Sequence, residues 1–210
     1  MSGRKQISKA FSMNARTARL LLVFGAFVAG LALCFSVIML LVGPRDGASA
    51  VASSIGGPFT LTDQDGRAFS NRDLAGKPYL VFFGFTHCPD VCPTTLFDVS
   101  EVMRSLGPDA DKTAALFISV DPERDTPAVL KDYLASFDPH VRGLTGAPDR
   151  LATVFKEFRV YYKKVPLEGG DYTMDHSALV YLMDKGGRFV APFSLKRAPE
   201  AAADDLRRYF

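Results

Sequence analysis

The chain has 210 residues, enough for one domain of ordinary size plus an appendage. Its 25 basic and 23 acidic residues leave a net charge of +2 with no long run of like charge, which gives no reason to propose a nucleic-acid partner. Tryptophan is absent, and 17 phenylalanines are available to fill a core.

The positive charge is gathered at the start. Arg4, Lys5, Lys9, Arg16 and Arg19 all precede the first acidic residue, Asp46. Residues 1–19 therefore read as a basic tail. Leu20 to Val42 then runs 23 residues without a charge. As a helix at about 1.5 Å per residue it spans roughly 35 Å, enough to cross a hydrocarbon core of about 30 Å with some tilt. It is too long for the apolar stretch of a cleaved signal peptide, which is roughly 7–15 residues. An Ala-Ser-Ala triplet at 48–50 is the only hint of cleavage, and the long apolar run favours an uncleaved transmembrane anchor. The basic flank places the N-terminus in the cytoplasm. Residues 43–57, opened by Gly43-Pro44 and rich in Gly, Ala and Ser, read as a flexible linker. Residues 58–210 then form a soluble domain on the far side of the membrane. Cys34, inside the span, reads as a small apolar helix residue.

Within that domain, residues 59–70 alternate apolar and polar side chains around Asp65-Gly66, the pattern of a β-hairpin. Residues 79–85, "YLVFFGF", are apolar on both faces, as in a strand covered by helices on each side. Next come Cys88 and Cys92, each followed by proline, on the first turns of a helix running to about Leu106, where Gly107-Pro108 stops it. A second buried strand is predicted over 113–121. Helices follow over 126–137, with Thr126 as N-cap and Pro127 at N1, and over 147–158, again led by proline. Strands at 177–184 and 188–195 flank the turn Lys185-Gly186-Gly187, and Pro199 opens a closing helix. Strand–helix–strand alternation implies a parallel core pair, and the terminal hairpin implies antiparallel edge strands. The sum is an α/β fold: a thioredoxin-like mixed sheet flanked by helices, behind an N-terminal transmembrane helix. The segment 161–177 is longer than a connection needs, and such excess is often functional.

Two cysteines four apart on a helix face the same side. Ideal helix geometry separates their Cα atoms by about 6.2 Å, against about 5.1 Å for a spacing of three. Disulfides prefer roughly 5.5–6 Å, so the pair closes only near its limit, while the wider spacing suits a metal bridging two sulfurs. Both chemistries gain from the helix N-terminus, which stabilises thiolate. Two soft thiolates favour Cu(I) or zinc but do not complete a site. Of the three histidines, His87 adjoins Cys88 and reads as solvated or as a group behind the ligands. His140 reads as a surface loop residue. His176 starts the strand at 177–184, and in a thioredoxin-like sheet the loop before that strand lies beside the redox cysteines. Its alternative is a hydrogen-bonded histidine at a strand start. Met174 reads as an ordinary loop methionine, and Asp121 and Asp175 as candidates to support the ligands from behind.

Three blocks give these residues a family resemblance: "GFTHCPDVCPTTL" at 84–96, "SVDPERDTP" at 119–127 and "DHSALVYLMDKGG" at 175–187. In this order, behind one membrane helix, the chain resembles the Sco/SenC family of membrane-anchored copper proteins from about Phe59 to Phe193. Lys185 is the one departure, standing where relatives often carry proline. The resemblance implies a thioredoxin-like fold and a copper site, for Cu(I), Cu(II) or both, formed by Cys88, Cys92 and His176. It implies a metallochaperone serving the dinuclear copper site of cytochrome c oxidase subunit II, supplied by an upstream copper donor or a thioredoxin-like reductant. The alternative is a thiol-disulfide oxidoreductase that keeps that subunit's cysteines reduced, with Cys88 attacking and Cys92 resolving. A peroxidase is disfavoured because no distant resolving cysteine exists, and a structural disulfide leaves His176 unexplained. The short basic tail favours a bacterial inner membrane with the domain in the periplasm, over a mitochondrial inner membrane facing the intermembrane space.

Overall fold

The computed structural model describes residues 15–42 and 55–210, which fall in two separate compact units. The first is one helix, α1 (Ala15–Val42). Its window Arg19–Val37 has a mean hydropathy of 2.6, and none of that window is buried. A helix apolar on every side has no polar face to give to water, so by length and composition α1 is able to cross a membrane. It begins five residues before the predicted span. The basic tail before Ala15 and most of the predicted linker lie outside the described residues.

The second unit is built on a seven-stranded sheet in the order β2-β1-β5-β4-β3-β8-β9. The strands are β1 (Thr60–Asp63), β2 (Ala68–Ser70), β3 (Tyr79–Gly84), β4 (Ala114–Ser119), β5 (Val141–Thr145), β8 (Val180–Met183) and β9 (Phe189–Pro192). Strands β3, β4 and β5 run parallel, and the flanking pairs are antiparallel. Four helices accompany them: α2 (Val91–Leu106), α3 (Pro127–Leu134), α4 (Pro148–Glu157) and α5 (Pro199–Arg207). The fold is thioredoxin-like, a mixed sheet flanked by helices.

All six residues of β3 are buried, as a run apolar on both faces requires. Successive side chains point to opposite faces. Phe82 packs on Phe117 of β4, which meets Tyr133 of α3. Phe83 points the other way, into Phe155 of α4 and into Phe158 and Tyr181. The cap expected at Thr126 is present, its hydroxyl accepting from the Val129 N–H.

Three expectations are corrected. Strand β5 occupies a stretch assigned no structure, so the sheet gains a member between β4 and β1. The long segment 161–177 is a separate two-stranded sheet, β6 (Tyr162–Pro166) with β7 (Tyr172–His176), antiparallel and not hydrogen-bonded to the main sheet. His176 therefore closes β7 and does not start the next strand, which begins only at Val180. Of the C-terminal hairpin, β9 alone is an edge strand, because β8 lies between β3 and β9.

Candidate metal centre

The site forms where β3 ends. Gly84 is its last residue, and a Cβ there would lie 2.6 Å from the Phe117 ring and 2.8 Å from Cys92 Sγ. Only a residue without a side chain lets the buried sulfur come this close to the strand. The chain turns after Phe85, whose carbonyl accepts from the Cys88 N–H at 3.3 Å. Helix α2 starts only at Val91, with Asp90 as N-cap.

Cys88 therefore precedes the helix, and the estimate that put both cysteines on helical turns does not hold. The reason is local: a residue before proline is pushed away from the α region, and Pro89 follows Cys88. The consequence is a different link between the two. The Cys92 N–H donates to Cys88 Sγ at 3.4 Å. Asp90 makes no side-chain cap, so the sulfur takes up one of the amides that a helix start leaves free. Both thiols are free, Cys88 half-buried and Cys92 fully buried. Burial pushes the Cys92 thiol well above its ordinary range, because an apolar surround disfavours the bare thiolate.

His176 arrives from the far end of β7. Its Nδ1 lies 3.0 Å from the Ser177 carbonyl and donates to it, since a carbonyl only accepts. Nε2 is then the lone-pair nitrogen, and it lies 3.6 Å from Cys92 Sγ. Phe82 and Phe85 flank the ring at steep angles, with centroids 6.5 and 5.7 Å away. Ligand atoms of Cys88, Cys92 and His176 all lie within 4.8 Å of one another. Two donors bound at about 2.0–2.3 Å to one ion are at most about 4.6 Å apart, so the cluster fits a thiophilic cation with little movement. No other group of this kind occurs among the described residues.

The remaining candidates lie elsewhere. His87 is exposed and bonds only Thr86 Oγ1, at 3.1 Å. His140 sits between Asp138 and Asp111, at 2.7 and 3.2 Å. Burial opposes charge on its ring, but those two carboxylates prevail and raise its pKa. Met174 packs half-buried against the core, and Asp175 is exposed opposite Lys163. Asp121 is buried but bonds Arg124 and Tyr172, not Cys88, Cys92 or His176.

One residue escaped the sequence reading. Asp125 is fully buried, with no cation bonded to it. Its carboxylate accepts from Thr86 N–H at 3.2 Å, Thr86 Oγ1 at 2.6 Å and Ser119 Oγ at 2.6 Å. Burial raises its pKa, opposed by these hydrogen bonds. Through Thr86 it ties the turn that carries Cys88 to the end of β4. The signal was the second aspartate of the block at 119–127, sitting directly before a helix cap.

Comparison with known proteins places this geometry. The family model SCO1/SenC matches residues 47–210. A structure of Bradyrhizobium japonicum ScoI with copper bound is 66% identical, covers 74% of this chain and 99% of its own, and superposes with a TM-score of 0.73. Yeast Sco1 with copper bound is 39% identical, with coverages of 74% and 88% and a TM-score of 0.67. A SCO2-like protein of Rickettsia felis is 40% identical over 155 residues, 73% of this chain and 76% of its own length. The chain spans about half the length of an Arabidopsis thaliana relative, the mitochondrial SCO1 homolog 1, with which it shares 36% identity over 80% of its own length. With the model covering its whole globular unit, this chain belongs to the SCO1/SenC family.

Proposed function

We propose that the protein binds copper through Cys88 Sγ, Cys92 Sγ and His176 Nε2 and hands it on during assembly of cytochrome c oxidase, to the dinuclear copper site of subunit II. The observation that carries this reading is the convergence of two sulfurs and one lone-pair nitrogen within 4.8 Å. It is supported by relatives solved with copper bound and by a structure of BsSco, a member of the Sco family of cytochrome c oxidase assembly proteins. Two soft sulfurs suit Cu(I), and an added imidazole makes Cu(II) tolerable. Half-buried Cys88 is the sulfur an incoming partner thiolate reaches first, while buried Cys92 and the amide on Cys88 Sγ keep the pair together. Binding releases the thiol protons, so affinity rises with pH.

The test is copper titration of the reduced full chain beside His176→Ala. Wild type should take one copper. The variant should lose about tenfold or more in Cu(II) affinity and much less in Cu(I), because the soft pair remains. Equal binding of both ions by the variant removes His176 from the site.

The second reading, a thiol-disulfide reductase acting on the same client's cysteines, is favoured by one observation: both sulfurs are free and adjacent, one of them reachable. It uses the same atoms as copper, so metal and disulfide exclude each other.

For location, we propose a single span with the N-terminus in the cytoplasm and the domain in the bacterial periplasm. Support comes from the five basic residues ahead of an acid-free apolar helix. Reporter fusions after residue 60 should be active only for an enzyme that works in the periplasm, and activity of a cytoplasm-only reporter contradicts this topology.

A further inference from the structure

The β6–β7 hairpin carries His176 but shares no hydrogen-bonded ladder with the main sheet. Its orientation rests on side chains. At the His176 end, Tyr162 packs against Phe155 in a tilted pair with centroids 4.5 Å apart. At the other end stands Tyr172, four residues before His176 and so on the same face of the strand. Tyr172 is held on several sides. Its hydroxyl donates to Asp121 Oδ1 at 2.8 Å, and its carbonyl accepts from Arg124 Nη1 at 2.9 Å. The Arg124 guanidinium lies over its ring, 3.8 Å from the centroid, and Lys164 lies at the same distance. Arg124 Nε in turn donates to the other oxygen of Asp121, so the three side chains close a ring of contacts. Arg124 also lies 5.9 Å from the centroid of Phe85, which packs near-perpendicular to the His176 ring.

This arrangement is poorly explained by stability alone. Arg124 Nη2 is buried without a hydrogen-bond partner, and a stranded buried donor is costly. Apart from Tyr172 and His176, β7 offers the core only half-buried Met174 between polar Thr173 and Asp175, so little else fixes its register, and a slip of one residue turns every side chain to the opposite face. For β7, that slip would point His176 away from the cysteines.

From this arrangement we infer that Arg124 is a positioning residue for His176. Its clamp on Tyr172, braced by Asp121, sets the roll of β7 so that Nε2 faces the two sulfurs. The residue beside it, Asp125, holds the cysteine turn through Thr86, so one loop, 119–125, aligns both halves of the site. The inference rests on the reading that His176 is a copper ligand. Loss of the clamp then acts on the nitrogen ligand and leaves the sulfurs in place.

The experiment uses the full chain in detergent micelles, as wild type, Arg124→Ala, Arg124→Lys and His176→Ala. Three properties are read: Cu(I) and Cu(II) affinity, imidazole nitrogen coupling in the Cu(II) paramagnetic resonance spectrum, and amide exchange without metal. Arg124→Ala should weaken Cu(II) about tenfold, reduce the nitrogen coupling and leave Cu(I) within about threefold. Exchange at 172–177 should quicken by about tenfold while β3 and β4 keep their protection. Arg124→Lys should fall between, since it keeps the charge but loses the fork of donors. Nitrogen coupling and hairpin exchange equal to wild type in Arg124→Ala overturn the inference. So does a parallel loss of both affinities with loss of protection in β3 and β4, which marks a general folding defect. Nitrogen coupling that survives in His176→Ala overturns the ligand reading instead, and exchange in the metal-free protein still decides whether the clamp exists.

Discussion

Gly84→Ala should lower stability by about 1–3 kcal/mol and weaken copper binding by about tenfold or more. The added methyl would sit 2.6 Å from the Phe117 ring and 2.8 Å from Cys92 Sγ. Neither neighbour has room to retreat. Phe117 is fully buried between Phe82 and Tyr133, and Cys92 is fully buried at the start of α2. The strand is held by β4 on one side and β8 on the other. The strain must therefore go into the α2 start, and the Cys92 sulfur moves. Thermal unfolding and copper titration of the same samples check this. A variant that melts lower but binds copper as wild type would show that the contact serves packing only.

Asp125→Ala should cost about 2–4 kcal/mol, or roughly 5–15 °C in Tm for a domain of this size. The alanine leaves the Thr86 N–H, the Thr86 hydroxyl and the Ser119 hydroxyl without their acceptor in a buried place. Relief of the buried charge offsets part of that loss. Asp125→Asn gives the sign in pH. The folded-state pKa of Asp125 is raised above its unfolded value, chiefly by burial. Its stabilising contribution is then fully present below the ordinary carboxylate range and is lost as pH rises through the raised value. The Tm gap between wild type and Asp125→Asn should be widest below the ordinary carboxylate range and shrink as pH rises through the raised value. A gap that widens with rising pH would mean that the carboxylate is held charged.

The cysteine pair and the parallel pair β3–β4 were legible because each is written locally: a doubly apolar run and a proline-bracketed CxxxC need no knowledge of distant residues. His176 was picked out of three histidines by its place in a thioredoxin-like sheet and by the family resemblance, not by a local pattern. Strand β5 was not legible for a physical reason. Its sequence is VRGLT, and Gly143 breaks any strand pattern. The glycine is there because a Cβ would lie 2.5 Å from a methyl of Leu134, so the demand comes from α3, not from the strand. The hairpin was hidden in the same way. Its strands are largely polar on both faces, and what holds Tyr172 is Asp121, 51 residues away. The helix start after Cys88 was misplaced because the arithmetic ignored Pro89. Asp125 was overlooked because its partner Thr86 lies 39 residues earlier, beyond the reach of any local pattern.

The position of β8 between β3 and β9 also sets a timetable. A chain is made from its N-terminus, and the sheet around β3 closes only once Met183 exists. Cys92 is made 91 residues earlier. At about 5–20 residues per second, the two thiols wait about 5–18 s before His176 and the last neighbour of β3 are available to enclose them. During that interval the chain lacks β8 and the β6–β7 hairpin, so the enclosure of Cys92 is incomplete until both have been made. A newborn chain therefore holds both thiols before it holds the imidazole that joins them, and the complete three-donor set is among the last things synthesis supplies.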